Sequence, residues 1–472
     1  MNLESSSENA VVNGKLVRAY TYVALLGIVI PLAFAVILAA KMVWPDWLGS
    51  APFLQFGRIR VFHTNGVIFG WLGVGFFALL NYAVPKLANR PLFSEKLAWW
   101  TLWAMVGALT VGMLAILAGD MQAVEYAEFP WYADILFAGA FVMAAFNYLA
   151  TTFLSKEKQL YVSSWYFILG FAFTTLNYVM ANTIAAHVAP GSAGAAITGL
   201  WIHNAVGLFV TPMGVGIVYF FLPILLKKPV HSHALSLVGF WTLSFFYPLG
   251  GAHHYFYSPI PRWVQVLSVP LTAVLFIVVV TVVYNWLMTL KGSWKKVVVN
   301  PAGAFMVAGI CGYMLTCTQG PFHAFLSVQK VIHFTDWVVA HAHLALLGAF
   351  TFWNIGAMLY VWPKVTGREF ASHRLSWWAF WLLLIGFYVF YFAPITAAGL
   401  ITGYAWISGA PFVDSVEPLR PFYITRVLGG LMIYFALLAF CWQLWRTARY
   451  KSPPETASAA AETDLNPEPA AS

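Results

Sequence analysis

Long hydrophobic segments follow one another along the whole chain, separated by short polar connections. Each is about 20 residues or more, the length an α-helix needs to cross the hydrocarbon core of a bilayer. Backbone polar groups in lipid must be satisfied within the segment, which a helix does. The pattern therefore predicts an all-α membrane protein with about twelve transmembrane helices. The predicted spans are residues 18–43, 60–85, 97–119, 132–154, 161–185, 196–226, 234–256, 263–290, 303–322, 336–363, 375–402 and 422–446.

The composition agrees with a membrane protein. Of the 472 residues, 61% are hydrophobic and 9% are charged, whereas soluble domains average about 45–50% and about 25%. The formal net charge of +8 could suit nucleic acid, but the basic residues lie in short connections, which indicates membrane orientation and no nucleic-acid partner. Cys311, Cys317 and Cys441 form no CxxC or CxxCH pattern. Neither a disulfide framework nor a covalently attached c-type haem is therefore expected.

Basic residues recur in alternate connections, and acidic residues such as Asp120 and Glu417 lie in the opposite ones. Because lysine and arginine favour the cytoplasmic side, both termini are predicted to face the cytoplasm. The first span is too long for a cleavable signal peptide and follows Glu4 and Glu8. These features suit a bacterial cytoplasmic (inner) membrane. The domain prediction is a cytoplasmic tail over 1–17, a single transmembrane domain over 18–446 and a disordered cytoplasmic tail over 447–472.

Six histidines are predicted to lie at one depth in the outer part of the membrane, on four helices. A histidine inside a bilayer is costly to bury unless it has a role. Independent structural histidines would not be expected to share one level. The six are His63, His203, His253, His254, His341 and His343.

The spacing of these histidines indicates what they bind. Successive helical residues are about 100° apart, so His341 and His343 project from nearly opposite faces and can each hold a haem. His63 is a natural partner for one of those haems, giving bis-histidine iron suited to electron transfer. His203, His253 and His254 together supply three imidazoles, which suits copper. Spacing alone leaves open which haem His341 and His343 each serve.

Several segments resemble subunit I of the cbb3-type cytochrome c oxidases, the C-family of haem–copper oxidases. They are RIRVFHT (58–64), VEYAEFPW (124–131), HNAVG (203–207), YPLGGAHH (247–254) and HFTDWVVAHAH (333–343). The resemblance runs from about residue 55 to about residue 430 and implies the haem–copper oxidase subunit I bundle. It implies two b-type haems and one copper ion. It assigns His63 and His343 to the low-spin haem, His341 to the high-spin haem, and His203, His253 and His254 to copper.

The resemblance also implies a catalytic tyrosine and a single proton route from the cytoplasm. Tyr247 lies six residues before His253, and in the family such a tyrosine is joined covalently to the histidine matching His203. It supplies an electron and a proton when the O–O bond breaks. Hydroxyl groups with intervening waters can relay protons to it. The candidates are Thr211, Tyr219, Ser236, Ser244 and Tyr313. For each, the plain alternative is a hydrogen bond to its own helix.

Acidic and polar residues near the haem level complete the expected site. In the family the segment containing Glu125 and Glu128 helps to bind calcium beside haem propionates, and Glu125 is the better match. Asp336, His333 and Arg426 are further candidates for propionate contacts.

One position departs from the family pattern. Gln319, in the segment TQGP (318–321), stands where the family has a glutamate that accepts a hydrogen bond from the proximal histidine of the high-spin haem. Glutamine keeps a carbonyl acceptor but has no negative charge, so it should push less electron density onto the iron. We therefore predict a higher reduction potential for this haem than in a Gln319→Glu variant.

The expected function is reduction of O2 to water by a terminal oxidase with proton uptake and pumping. Its electrons would come from membrane-anchored c-type cytochrome subunits and from cytochrome c. One alternative is a nitric oxide reductase with non-haem iron in place of copper. That chemistry uses an extra carboxylate ligand, commonly four residues after the histidine matching His203, where this chain has Gly207. A transporter without redox function is a second alternative, but no internal repeat is evident.

Overall fold

Twelve membrane-length helices make up most of the protein. The computed structural model describes residues 11–49, 51–157 and 159–450. Within these residues twelve helices are long and apolar enough to cross a membrane, which confirms the predicted number. We label them α1 (Gly14–Val43), α2 (Phe56–Leu87), α3 (Glu95–Ala118), α4 (Trp131–Phe153), α5 (Val162–Val188), α6 (Gly191–Leu226), α7 (His233–Tyr255), α8 (Arg262–Leu290), α9 (Pro301–His323), α10 (Asp336–Thr366), α11 (His373–Ile407) and α12 (Phe412–Arg449).

The two ends of the bundle differ slightly from the predicted domain limits. The Asn13 side chain accepts hydrogen bonds from the backbone N–H groups of Lys15 and Leu16, both at 3.1 Å. This cap starts α1 at Gly14, within the predicted tail, because it satisfies two donors that the first turn leaves free. At the other end α12 continues to Arg449. The remainder of the two predicted tails, residues 1–10 and 451–472, lies outside the described residues.

Three helices form the centre of the bundle, and they are the second, sixth and tenth in chain order. The most apolar windows of α2, α6 and α10 are 94%, 83% and 83% buried, whereas those of the other nine helices are at most 56% buried. The other nine therefore surround the centre and face lipid with part of their surface. Because α2, α6 and α10 carry four of the six candidate histidines, these residues lie where the surrounding helices shield them.

A glycine pair lets α1 approach the central helix α2 closely. A Cβ atom on Gly27 would lie 2.3 Å from the carbonyl oxygen of Gly70, so a larger side chain would force the helices apart. Small residues at such crossings allow backbones to pack closely in membranes. The approach brings the backbone carbonyl of Pro31 to the ring of His63, at 3.3 Å.

Candidate functional site

Three histidines from two helices meet in one cluster. His203 lies on α6, whereas His253 and His254 lie on the 3-10 turn Tyr247–Tyr255 that ends α7. One ring nitrogen from each lies within 4.8 Å of the others. The ring centres of His203 lie 4.5 Å from His253 and 5.7 Å from His254. His253 and His254 are adjacent in this turn, and their ring centres lie 4.6 Å apart.

Hydrogen bonding leaves ring nitrogens of this cluster free for a metal. The hydroxyl of Thr272 donates to the Ser268 carbonyl at 2.7 Å, so it must accept the bond from Nδ1 of His253 at 2.8 Å. Proton placement on Nδ1 leaves Nε2 of His253 as a lone-pair donor. Within the described part of the chain, Nε2 of His203 is buried with no hydrogen-bond partner. A buried unpaired nitrogen beside two further imidazoles fits copper, for which three histidines are suitable ligands.

His63 and His343 face each other across a gap of metal-binding width. Their ring centres are 6.3 Å apart and their planes lie 15° from parallel. Two imidazole–metal bonds of about 2 Å each, plus half of each ring, span about 6 Å. Nδ1 of His63 donates to the Pro31 carbonyl at 3.3 Å, and Nδ1 of His343 donates to the Val339 carbonyl at 2.8 Å. Since a carbonyl only accepts, both rings keep Nε2 free, and the pair fits a six-coordinate haem.

His341 has different neighbours from those of His343. Its Nδ1 lies 3.2 Å from Oε1 of Gln319 on α9. The amide nitrogen of Gln319 donates to the hydroxyl of Tyr391 on α11 at 2.6 Å. His323 packs edge-on against the His341 ring, with 4.5 Å between ring centres. The Gln319–His341 contact expected from the sequence is therefore present, and its effect on an iron stays a prediction.

Tyr247 packs directly on a histidine of the cluster. The rings of Tyr247 and His203 are stacked, with their centres 3.9 Å apart and their planes at 11°. This contact depends on Gly207, because a Cβ atom there would lie 1.7 Å from ring carbons of Tyr247. No side chain can occupy position 207 while Tyr247 keeps this place. A glutamate ligand at 207 is thus sterically incompatible with the present site.

The candidates for the proton route fall into two groups according to their hydrogen-bond partners. Ser236 donates to the His233 carbonyl at 2.6 Å and Ser244 to the Phe240 carbonyl at 2.8 Å, so both hydroxyls are engaged with their own helix. Tyr219 accepts from the amide of Asn285 at 3.4 Å and is fully buried. Tyr313 and Thr211 are also buried, at 2% and 8% exposure. The tyrosines are therefore better placed than the serines to pass a proton between helices.

The two glutamates of the 119–130 connection have different surroundings. Glu128 is 3% exposed and accepts a hydrogen bond from Asn65 at 2.7 Å, while its other oxygen is buried and has no hydrogen-bond partner among the residues that the structure describes. Burial raises the pKa of the Glu128 carboxyl to about 7, against the lowering effect of Asn65 and Arg60. The Glu125 side chain is 46% exposed and lies 3.7 Å from Arg60. Arg60 also lies 3.8 Å from Glu128, so the two carboxylates share one guanidinium and differ chiefly in burial.

The three candidates for propionate contacts lie at the same end of the bundle. Arg426 forms an ion pair with Asp336 at 3.0 Å. His333 precedes α10, and its Nε2 lies 3.1 Å from the carbonyl oxygen of His254. Burial lowers the pKa of His333, although the bond to His254 opposes the change. His333 thus links the loop before α10 to the turn that carries the histidine cluster.

Each central helix widens into a π-helical turn just after its histidines. These turns are Gly66–Gly73 after His63, Ala205–Val210 after His203, and Leu346–Thr351 after His341 and His343. The extra residue in a π-turn changes which side chains face the site, and such turns are frequent at functional positions. No composition signal in the sequence marked them, and sequence reasoning likewise missed Thr272, His323 and Tyr391.

Comparison with known proteins shows the family to which this chain belongs. The family model described as cytochrome c and quinol oxidase polypeptide I matches residues 15–432. The chain belongs to this family. The cbb3-type cytochrome c oxidase subunit CcoN1 of Stutzerimonas stutzeri is 32% identical over 462 residues, covering 94% of this chain and 97% of that protein. Cytochrome c oxidase subunit 1 of Rhodobacter capsulatus is 32% identical, covering 90% and 83%.

More distant relatives of this subunit I agree with the fold. A nitric oxide reductase subunit of Stutzerimonas stutzeri is 22% identical, covering 92% of this chain and 94% of that protein. A chain of a haem–copper terminal oxidase dimer solved by cryo-electron microscopy superimposes with a TM-score of 0.73 at 16% identity, covering 92% of this chain and 85% of that one. The predicted all-α bundle and the cbb3-type resemblance are therefore confirmed. The protein is a multi-pass membrane protein of the haem–copper oxidase family.

Proposed function

We propose that this subunit I is the catalytic subunit of a terminal oxidase that reduces O2 to water. In this proposal His63 and His343 hold a low-spin b-type haem, His341 holds a high-spin b-type haem, and the remaining three histidines hold copper. The observation that carries it is the stack of Tyr247 on a histidine of the three-imidazole cluster. When bound, the two haems and the copper supply electron transfer and the reducing centre for O2.

The protein side chains orient these groups and deliver protons. Thr272 and the carbonyls of Pro31 and Val339 hold protons on Nδ1 of their histidines, which fixes the ring orientation. Tyr247 is the catalytic residue, and its hydroxyl would give a proton and an electron to the reaction. Its covalent bond to His203 would join a ring nitrogen to a ring carbon, and O2 would accept the two electrons and two protons that are released, giving H2O2. Mass spectrometry of a peptide containing both segments tests this bond.

Protons for the reaction would come from the cytoplasmic side. We place Tyr219, Tyr313 and Thr211 in the route, with Ser236 and Ser244 contributing when their backbone hydrogen bonds open. Phenol hydroxyls both donate and accept, so a buried tyrosine can pass a proton along a chain of waters. Proton uptake coupled to pumping would then store energy across the membrane.

The outer side of the protein would receive electrons and hold calcium. Membrane-anchored c-type cytochrome subunits, supplied by cytochrome c, are the proposed donors, with both termini of this chain in the cytoplasm of a bacterium. Calcium is proposed at the 119–130 connection, where Glu125 and the buried oxygen of Glu128 provide carboxylates. Reduction of nitric oxide as the main reaction is disfavoured, because Gly207 leaves no room for a carboxylate ligand.

Metal and haem analysis tests the main proposal. The purified complex should contain two b-type haems and one copper for each copy of this chain, and CO should change the reduced spectrum of one haem only. Iron in place of copper would instead indicate a nitric oxide reductase. A preparation without haem would contradict the haem-ligand assignments made above.

A further inference from the structure

A hydrogen-bond chain leads from the proposed proximal histidine of the high-spin haem to a buried tyrosine. It runs from His341 to Gln319 at 3.2 Å and from Gln319 to Tyr391 at 2.6 Å. The three residues lie on three different helices, α10, α9 and α11. The chain therefore connects the ligand to α11, which carries none of the six candidate histidines.

The direction of the chain follows from the chemistry of its members. If Nε2 of His341 binds iron, as the proposed function requires, Nδ1 keeps its proton and must donate it. The carbonyl end of the Gln319 amide must then face His341, and its NH2 end faces Tyr391. An amide N–H only donates, so the Tyr391 hydroxyl accepts.

Tyr391 is held in place by contacts unrelated to Gln319. It is 4% exposed, and its ring lies parallel to that of Phe387, with centres 5.6 Å apart and planes at 24°. Its carbonyl oxygen accepts from the Thr396 hydroxyl at 2.7 Å, where α11 widens into the π-turn Phe392–Ala397. The hydroxyl is thus a fixed point to which the flexible glutamine side chain is tied.

We propose that Tyr391 is a positioning residue that polarises Gln319, so that a neutral amide serves as the acceptor for His341. A hydrogen bond to the amide N–H strengthens the carbonyl at its other end, because bonds in a chain polarise one another. A stronger acceptor gives the His341 ring more imidazolate character and lowers the reduction potential of the haem it ligates.

The proposal makes the effect of Tyr391 depend on the charge at position 319. With glutamine, the tyrosine hydroxyl accepts and strengthens the acceptor. With glutamate, which has the same shape, the hydroxyl would reverse and donate to the carboxylate, withdrawing charge from His341. Removal of the hydroxyl should therefore shift the haem potential in opposite directions in the two backgrounds.

The test compares the wild-type complex with Tyr391→Phe, Gln319→Glu and the double variant. Potentiometry should show that the midpoint of the high-spin haem rises in Tyr391→Phe relative to wild type. It should fall in the double variant relative to Gln319→Glu. The iron–histidine stretching band of the reduced haem, measured by resonance Raman spectroscopy, should move to lower frequency in the first comparison and to higher frequency in the second.

Two controls separate this inference from the proposed function. Tyr388→Phe removes a hydroxyl three residues earlier on the same helix, where the ring stacks on Phe392, and should leave the midpoint unchanged. His341→Ala should abolish the iron–histidine band, and retention of that band would overturn the assignment of His341 itself. If the band does depend on His341, shifts of the same sign in both backgrounds, or no shift in either, would overturn the role of Tyr391 alone.

Discussion

The two sides of α10 hold their histidines in different ways. On the side of the proposed low-spin haem, His63 and His343 donate to backbone carbonyls of Pro31 and Val339. On the side of the proposed reaction centre, His341 and His253 bond to side chains, Gln319 and Thr272. A backbone carbonyl is present whatever the residue, whereas a side-chain partner changes with a single substitution. Single substitutions can therefore change the hydrogen-bond partners of the histidines on the reaction side. On the electron-transfer side the partners are backbone groups, which a substitution leaves in place.

The largest effect is expected from crowding on the reaction side. In Gly207→Ala the new methyl group would overlap the Tyr247 ring at 1.7 Å, so the ring must move. Displacement of a reacting group by about 1 Å can lower a rate on the order of 100-fold. O2 consumption should fall by about that factor, while the spectrum of the low-spin haem remains. Unchanged turnover would show that the tyrosine position is not required.

Loss of a side-chain partner should weaken copper binding. Thr272→Val removes the acceptor for Nδ1 of His253 but keeps the shape, and such partners typically contribute about 10–100-fold in metal affinity. Copper retained during dialysis against a chelator should fall accordingly, and Thr272→Ser should restore it. Thr281→Val provides a matched control on the same helix, because the Thr281 hydroxyl donates to the backbone carbonyls of Ile277 and Val278 in α8. Equal copper loss in both valine variants would contradict the role of Thr272.

A smaller effect is expected from charge on the low-spin side. Arg426 lies 5.7 Å from the centre of the Phe390 ring, which lies 5.0 Å from that of His343. Removal of this cation in Arg426→Gln should lower the reduction potential of the low-spin haem, because a nearby positive charge favours the reduced state. The free energy of reduction should become less favourable by on the order of 1 kcal/mol. Potentiometry of both haems measures the change. A larger shift on the high-spin haem would contradict the division between the two sides.

The last effect is on stability rather than on turnover, metal binding or potential, and it depends on pH. The pKa of Glu128 is raised from 4.5 to about 7 by burial. Between these two pKa values the Glu128 carboxyl is ionised in the unfolded chain but largely protonated in the folded one. The free energy of unfolding therefore falls as pH rises through this range, by about 3 kcal/mol in total. Without calcium, the wild type should lose a few °C more in thermal unfolding temperature from pH 5 to pH 8 than Glu128→Gln. Glu125→Gln, at the half-exposed neighbour, should behave as the wild type.

Much of this architecture could be predicted from the sequence, because the signals were long or chemically costly. Apolar segments gave the twelve helices, and buried histidines drew attention because lipid penalises them. The contacts of Thr272 and Tyr391 could not be predicted, since an isolated hydroxyl in a helix has no pattern that points to its partner. Nor could the π-turns, because no residue pattern marks the positions where a helix widens. The sequence drew attention to Gly207 because a nitric oxide reductase commonly has a carboxylate ligand at that position. The contact between Gly207 and Tyr247 was found only in the structure.

The contact between Gly207 and Tyr247 also constrains how this protein can evolve. A lineage that exchanged oxygen chemistry for a carboxylate-assisted iron site would need to enlarge position 207 and shrink position 247. Either change made first would leave a descendant with a displaced phenol or an unfilled space, and selection would act against both. The two positions should therefore change as a pair across the wider superfamily, with few living intermediates. The absence of a side chain at position 207 thus ties the choice of ligand set to the place of a single phenol ring.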